Sequence, residues 1–196
     1  MRCFLRTGLD IADAGTTVMA VALSGSHLIA GMQNGKVLAL LVDERDPSDW
    51  DSVCLHEALP SDTADPHVQC LAFNPSGTLV AVSWANNTTA FYDIKTSARV
   101  LAYSHAGESN IGHNNMVLDF SPDGSRVAVS GGANATVEVH TLDPASAIQF
   151  CIPENNKERL VDAAVSALHV AMAVESQVVV LDRISKEPVC TIDVVS

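Results

Sequence analysis

Apolar and polar residues alternate in short runs along almost the whole chain, and turn residues separate the runs. The first runs are Val18 to Leu23, His27 to Met32 and Lys36 to Val42, with Asn34-Gly35 before the third. Asn-Gly between alternating runs is a strong hairpin signal, because both residues tolerate the positive φ of a type I′ turn. No stretch shows a convincing helical period. The pattern therefore predicts an all-β protein.

The same succession of four short runs recurs along the chain. A strand at Asp51 to Leu55 completes the first unit. The other twelve predicted strands are His67 to Phe73, Thr78 to Ser83, Thr89 to Asp93, Arg99 to Tyr103, Met116 to Phe120, Arg126 to Ser130, Thr136 to Thr141, Ala147 to Cys151, Leu160 to Val165, His169 to Val174, Gln177 to Asp182 and Pro188 to Val194. These strands predict a single domain over residues 1–196, with four units at approximately 17–59, 67–103, 115–152 and 160–195.

A seven-residue motif marks the second and third units as copies of one another. Leu71-Ala72-Phe73-Asn74-Pro75-Ser76-Gly77 aligns with Leu118-Asp119-Phe120-Ser121-Pro122-Asp123-Gly124, and the two phenylalanines lie 47 residues apart. Weaker copies flank them at Val18 to Ser26 and at Leu160 to Ala167. A four-stranded unit that repeats at this length is typical of a β-propeller blade, whereas a sandwich is not expected to repeat one turn at a fixed distance.

The repeated motif resembles the WD-repeat family, whose consensus blade carries Phe-Ser-Pro-Asp-Gly between its first two strands. That turn is intact at Phe120 to Gly124 and nearly intact at Phe73 to Gly77. The family's third strand usually ends in Trp-Asp, followed by a turn similar to Lys-Thr-Gly. Tyr92-Asp93-Ile94-Lys95-Thr96-Ser97 and Leu181-Asp182-Arg183-Ile184-Ser185 resemble this segment. The resemblance covers nearly the whole chain from about Val18.

The chain also departs from the family's pattern. Leu41-Val42 and His140-Thr141 stand where Trp-Asp is expected in the first and third units. Gly112-His113 resembles the family's Gly-His dipeptide but lies closer than usual to Phe120, and His105 is a rival for that role. No unit has the complete set of polar residues that cross-links a regular blade. The resemblance thus implies a degenerate propeller, and no binding residue of the family carries over.

The number of units predicts an incomplete ring. Propellers typically have four to eight blades, and WD-repeat propellers usually have seven. Four blades of this shape are expected to form an arc, which leaves two blade faces uncovered, and a repeat unit cannot bury its apolar face without a neighbour. Another chain, a second copy of this one or further sequence would complete the ring.

The net charge indicates which kind of partner to expect, and the cysteines indicate the compartment. The net charge of −12, from 23 acidic and 11 basic residues, disfavours direct binding to nucleic acid or to an anionic membrane surface and fits a basic protein partner better.

The five cysteines form no C-x-x-C pair, and Cys70 and Cys190 fall in apolar strand patterns, which favours a reduced, intracellular compartment, cytoplasmic or nuclear. We find no targeting or membrane-spanning segment in the sequence, because Asp10 and Asp13 interrupt any signal region and the apolar stretch Ala163 to Val174 is too short to span a bilayer.

The sequence offers no enzyme motif. It has no G-x-S-x-G elbow, no phosphate-binding glycine loop and no H-E-x-x-H, and His56-Glu57 is interpreted as an exposed loop pair. The seven histidines are dispersed over different units, whereas a metal site needs three or four convergent ligands. Ser130 to Asn134 and the sequons near Asn87 and Asn134 fall at hairpins, where turn geometry explains them. We therefore predict no catalytic residue, no metal and no cofactor.

Two loops are the candidates for partner binding. Residues 43–66 hold eight carboxylates against one cation, and an aromatic residue flanked by charge is a plausible anchor for a partner. A solvated connection whose tryptophan packs against its own blade is the competing interpretation. Residues 104–115 form the second loop, which is longer than an ordinary link between blades. The candidate binding residues are Trp50, Asp46, Asp49, Asp51, His105 and His113.

Together these features predict a non-catalytic protein–protein interaction scaffold, or a subunit of an intracellular multiprotein complex. The alternative is an accessory WD-repeat subunit of an RNA-processing or RNA-modifying enzyme complex, which would bind and orient the catalytic chain. A hydrolase on a propeller scaffold would need convergent acids or metal ligands at the centre of the ring, and the sequence shows no such set.

Overall fold

The strands of this protein form four antiparallel sheets of four strands each. The computed structural model describes residues 17–41, 51–56, 67–86, 88–104, 117–130, 136–142, 145–151 and 160–194. The strands are β1 Val18–Ser24, β2 His27–Met32, β3 Val37–Leu41, β4 Asp51–His56, β5 Val68–Phe73, β6 Leu79–Trp84, β7 Thr88–Asp93, β8 Arg99–Ser104, β9 Leu118–Phe120, β10 Arg126–Ser130, β11 Thr136–Leu142, β12 Ala145–Cys151, β13 Leu160–Val165, β14 His169–Val174, β15 Gln177–Asp182 and β16 Pro188–Asp193. The described residues contain no helix. The prediction of an all-β protein is confirmed, and each of the sixteen predicted strands overlaps an observed one.

Each sheet is a simple meander in which strands neighbouring in sequence are neighbours in space. Sheet 1 comprises β1 to β4, sheet 2 β5 to β8, sheet 3 β9 to β12 and sheet 4 β13 to β16. The registers of the four sheets correspond: Leu23 opposes Leu28, Phe73 opposes Val80, Phe120 opposes Val127 and Val165 opposes Val170. The four sheets are therefore structural repeats, and positions in one sheet can be compared with equivalent positions in the others.

The first strands of consecutive sheets lie next to one another. Strand β5 contacts β1 on one side and β9 on the other, and β9 contacts β13. Within the part of the chain that the structure describes, sheet 4 and sheet 1 share none of the extensive contacts that join consecutive sheets. The arrangement is propeller-like, with the first strand of each sheet on the inside, and it is not closed.

Each sheet packs one face against the next sheet, and the same face is used every time. We call the face turned toward the following sheet the front face and the opposite face the back face. The front face of sheet 1 packs on the back face of sheet 2. The contacting residues are Ala20, Ala22, Ile29, Val37 and Ala39 in sheet 1 and Val68, Leu71, Val80, Val82, Trp84, Ala90 and Tyr92 in sheet 2. Likewise the front face of sheet 2 packs on the back face of sheet 3, and the contacting residues are Cys70, Ala72, Ala81 and Phe91 in sheet 2 and Leu118, Phe120, Val127 and Val129 in sheet 3. The third interface joins sheets 3 and 4, and its residues are Ala128, Val137, Val139 and Phe150 in sheet 3 and Leu160, Ala163, Val165, Val170, Met172, Val174, Val179 and Leu181 in sheet 4. The core is thus a series of three equivalent sheet-to-sheet interfaces.

The motif that marks the repeat forms the turn between the first two strands of sheets 2 and 3. The Asn74 side chain accepts hydrogen bonds from the backbone N–H groups of Thr78 and Leu79, each at 2.9 Å. Gly77 and Gly124 both have a φ of +69°, which favours glycine because an L side chain there costs about 1 kcal/mol. The turn residues thus fix the local geometry that the motif predicts.

Aspartates close the turn between the third and fourth strands of sheets 2 and 4. The Oδ1 atom of Asp93 accepts hydrogen bonds from the backbone N–H and the hydroxyl of Thr96, at 2.7 and 2.9 Å. Asp182 Oδ1 does the same with Ser185, at 2.7 and 3.0 Å. Hydrogen bonds from these partners lower the pKa of both carboxyl groups. This explains the aspartate in the Tyr92-Asp93 and Leu181-Asp182 segments as a residue of the turn.

Candidate interaction site

Most of the residues predicted to bind a partner lie outside the described part of the chain. Trp50, Asp46, Asp49, His105 and His113 fall in ranges that the structure leaves undescribed. Asp51 is the first residue of β4, where its backbone is paired with Leu41 of β3. The binding role of all six residues stays a prediction.

One histidine that the sequence assigned to a loop lies instead in a sheet. His56 is the last residue of β4 and is half-buried, so the interpretation of His56 as part of an exposed loop pair is wrong. Its ring lies against Trp84 of sheet 2, with 4.9 Å between the ring centroids, and its Nδ1 atom is 2.9 Å from the Tyr92 hydroxyl. The cause is the register of β4, which places His56 opposite Val37 on the front face of sheet 1.

His56 belongs to a polar and aromatic cluster that joins sheets 1 and 2. The Trp84 indole N–H donates a 2.9 Å hydrogen bond to the carbonyl oxygen of Gly35 in sheet 1. Burial raises the pKa of the Tyr92 hydroxyl to about 12, so the phenol stays protonated at neutral pH. Since Trp84 and Tyr92 each hydrogen-bond across the interface, the cluster fixes the position of one sheet on the other. We interpret it as a structural contact.

A second aromatic cluster joins sheets 2 and 3. The Phe91 ring makes edge contacts with Tyr103 and Phe120, at centroid distances of 5.9 and 6.2 Å. Tyr103 in turn lies 4.1 Å from the ring of His140, and His140 Nε2 is 3.2 Å from a carboxylate oxygen of Glu138. These rings fill the space between the two sheets. His140, which the sequence places in a strand, thus has a packing role between the two sheets.

The first strands of sheets 2, 3 and 4 carry three ionisable side chains, Cys70, Asp119 and Asp162. Burial raises the pKa of the Cys70 thiol, which also receives a hydrogen bond from the backbone N–H of Leu118. Burial likewise raises the pKa of Asp119, and the carboxylate of Asp162 adds to the rise. The backbone N–H of Val165 donates a hydrogen bond to Asp119, which opposes the rise. The partly buried Asp119 and the exposed Asp162 therefore lie close enough for their carboxylates to repel each other.

Replacing Asp119 by asparagine is expected to stabilise the protein at pH 7, by less than about 1 kcal/mol because the carboxyl is only partly buried and water screens its interactions. The folded chain binds the Asp119 proton more tightly than the unfolded chain does. Wild-type stability therefore falls as pH rises from below the ordinary value of 3.8 through the raised folded-state pKa. Asparagine does not titrate and still offers an oxygen to the Val165 N–H. Urea unfolding of D119N and wild type should show the difference at pH 7 and lose it at pH 3, and an equal difference at both pH values would contradict the argument.

The back face of sheet 1 exposes apolar side chains at positions that are buried in the other sheets. Val21 and Leu23 of β1 are 62% and 68% exposed. Their equivalents in sheet 3, Leu118 and Phe120, are each 7% exposed, because sheet 2 covers them. Residues of the same face nearer its centre are buried in a small cluster of Ala30, Met32 and Leu40. Among the described strands, no sheet packs over these two positions of β1 as sheet 2 packs over their equivalents in sheet 3.

The front face of sheet 4 is the second exposed apolar surface. Ala171, Val178 and Val180 of this face are only partly buried. Their equivalents in sheet 3, Ala128, Val137 and Val139, are at most 3% exposed. The outer strand β16 is exposed at every residue, with Ile192 at 56%. Cys190 is also exposed, although it falls in an apolar strand pattern.

Comparison with known proteins adds no relative to this description. A scan against protein-family models found no match, and a search of curated proteins found no significant match. The resemblance to the WD-repeat family accordingly rests on the motifs alone. Within the described ranges there is no group of three or more histidine, cysteine, aspartate or glutamate side chains that could hold a metal ion. The same part of the chain has no helix long and apolar enough to cross a membrane.

Sequence reasoning anticipated that an arc would leave two faces uncovered, but it did not show which side chains of those faces are exposed. The apolar runs of β1 and β15 predict strands, and that signal is the same whether or not another sheet covers them. Comparing the exposure of equivalent positions across the four sheets distinguishes the uncovered faces from the covered ones. These two faces, with the edge strand β16, are the described surfaces best suited to bind another macromolecule.

Proposed function

We propose that this chain is a non-catalytic protein-interaction scaffold, built as an incomplete propeller of four WD-repeat-like blades. The observation that carries the proposal is the exposure of Val21 and Leu23, whose equivalents in sheets 3 and 4 are at most 7% exposed, namely Leu118, Phe120, Ala163 and Val165. A contiguous exposed apolar patch on the surface of a protein is typical of a site at which another chain binds. The acidic balance of 23 carboxylates to 11 cations supports a protein partner over a nucleic acid.

The architecture supports this function in a second way. Three interdigitated sheet-to-sheet interfaces and the clusters around Tyr92 and Phe91 hold the four sheets in fixed relative positions. A rigid frame lowers the entropic cost of binding, because its surfaces are already ordered before the partner arrives. The loops and faces of such a frame are therefore suited to recognition.

The test is affinity capture of polypeptides by the tagged chain, compared with two matched variants. L23K places a charge on the exposed back face of sheet 1, and I184K places the same charge in the turn between β15 and β16, where Ile184 is 79% exposed. We expect L23K to lose bound polypeptides that wild type and I184K both retain, because a charge buried without a partner opposes association. Identical capture by all three proteins would overturn the proposal.

A further inference from the structure

The outermost strand of each sheet has a backbone edge that is not paired with another described strand. These strands are β4, β8, β12 and β16, each of which comes last in its sheet. Such an edge presents N–H and C=O groups that can pair with a strand of another molecule, and proteins protect it with charged residues, proline or a β-bulge. Because the four sheets are structural repeats, the protection of their outer strands can be compared directly.

Three of the four outer strands carry these protective features. Each of β4, β8 and β16 contains a charged residue, and β16 also contains a proline; the residues are Asp51, Arg99, Asp193 and Pro188. Each of the three also has a register shift that leaves one extra residue on the outer strand, and these extra residues are Leu55, Val100 and Val189. A bulge bends the strand and interrupts its hydrogen-bonding pattern, so these edges are poor templates for a further strand.

The outer strand of sheet 3 has none of these features. Strand β12 contains no charged residue and no proline, and its seven residues all pair with β11 without a register shift. It is the longest of the four outer strands. Its exposed side chains are Ser146, Ala147, Gln149 and Cys151. The outer strand β16 exposes more apolar side chains, but β12 offers the regular, uncharged backbone edge that favours pairing with another strand.

From this difference we infer that β12 is a self-association surface, at which two copies of the chain pair their β12 strands antiparallel about a two-fold axis. The pairing extends the ladder of β11 and β12, so that sheet 3 of the two copies becomes one sheet of eight strands. The same surface is used on both copies, and the contact closes at two. This goes beyond the proposed function, which rests on Val21 and Leu23 of sheet 1. The contact lies at the outer edge of sheet 3, so it is independent of what packs on the faces of sheets 1 and 4.

The absence of charge on β12 favours a second copy as the occupant. Like charges placed opposite one another destabilise a strand pair, and an uncharged strand can lie beside its own copy without that penalty. Charged side chains of both signs lie beside β12: Glu138 of β11 is in the residue pair with Gln149, and the Lys186 ammonium is 5.9 Å from the centroid of the Phe150 ring. The local charges therefore select neither a basic nor an acidic partner. The net charge of −12 acts over a longer range, where salt screens it.

The first measurement is the mass of the purified chain by light scattering over a range of concentrations up to about 1 mM, because an edge contact buries less than about 1,200 Å² and associates weakly. We expect the mass to rise toward twice the 20.7 kDa of a single copy. The dimer should become stronger as NaCl is raised, since salt reduces the repulsion between two acidic copies.

Two doubly charged variants test the role of β12. A147K/Q149K and A147E/Q149E change two exposed positions of β12 that lie on one face of the joined sheet in both copies. Each variant should dimerise at least about tenfold more weakly than wild type, because like charges then meet across the two-fold axis. The matched control is A102K/T191K, which places two lysines at exposed positions of β8 and β16 and should dimerise like wild type.

Mixing the two β12 variants tests the pairing itself. In an equimolar mixture the lysines of one variant lie opposite the glutamates of the other, so a heterodimer should form with at least the affinity of wild type. Its formation also shows that both variants are folded. Hydrogen exchange of the unaltered chain gives a measurement that needs no variant: the β12 amides should become more protected as concentration rises, and the β16 amides should not.

Four results would overturn the inference: a wild-type chain that stays monomeric at about 1 mM, a dimer that weakens as NaCl is raised, equal weakening by A102K/T191K and A147K/Q149K, or β12 amides whose exchange does not depend on concentration. The proposed function is tested in a different variant. L23K leaves β12 unchanged and should dimerise like wild type, so a loss of captured polypeptides in L23K and a loss of dimer in A147K/Q149K are separate outcomes.

Discussion

Replacing Gly31 by alanine is expected to destabilise the protein by about 3 kcal/mol, at the upper end for overpacking of a core. Gly31 lies on the front face of sheet 1, and a Cβ atom built there would lie 2.4 Å from Cγ1 and 2.6 Å from Cβ of Val68 in sheet 2. Val68 is fully buried, and a β-branched side chain in a strand has little rotamer freedom with which to move aside. The two sheets must therefore separate locally, which weakens the whole first interface. Chemical denaturation of G31A and wild type measures the loss.

A double-mutant cycle identifies the clash as the cause. Val68→Gly removes all three atoms that a Cβ at position 31 would meet. It is destabilising by itself, because it leaves a cavity and puts a glycine in a strand. The G31A/V68G double variant should nevertheless be more stable than the sum of the single losses predicts, by at least about 1 kcal/mol. Strict additivity, or a loss below about 1 kcal/mol for G31A alone, would mean that the two sheets are not in contact at this point.

Replacing Phe91 by alanine is expected to cost about 3–5 kcal/mol, which is a large part of the stability of an ordinary domain. Phe91 is 1% exposed and fills the space between sheets 2 and 3, where its ring meets those of Tyr103 and Phe120. Truncation leaves a cavity in the centre of that interface and removes two edge-to-face ring contacts. Denaturation of F91A measures the loss directly.

Two control variants separate cavity formation from other effects of the substitution. Phe91→Leu keeps most of the apolar volume and should cost markedly less than F91A. Ile184→Ala, at a residue that is 79% exposed, should change stability by less than about 0.5 kcal/mol. If F91A lost no more than F91L, the ring would not be a central packing element and the second interface would be looser than the structure indicates.

The strands were predictable because their signal is local. The signal consists of short apolar runs such as Val18 to Leu23 and Leu160 to Val165, with turn residues such as Asn34-Gly35 between runs, and it depends only on neighbours in sequence. The repeat of Phe73-to-Gly77 at Phe120-to-Gly124 likewise follows from the letters alone, and both segments form the same turn. Local preferences and the observed fold agree throughout the described strands.

The surroundings of individual side chains were not predictable in the same way. His56 follows an ordinary strand in the sequence, and only the register of β4 against β3 places it beside Tyr92 and Trp84. Gly31 gives no local sign that it lies against Val68, since the contact joins two sheets. Of the loop residues proposed to bind a partner, only Asp51 falls in a described strand, and its role stays untested.

The sequence by itself determined that this protein is all-β, where its strands lie and that its units are copies of one another, because backbone preference and alternation act over a few residues. The tertiary structure decided which face of each sheet meets its neighbour and which face meets water. Leu23 and Phe120 occupy equivalent places in their strands, yet one is 68% exposed and the other 7%. That difference arises from whether another sheet packs over the position, and contacts between residues distant in sequence leave no periodic signal.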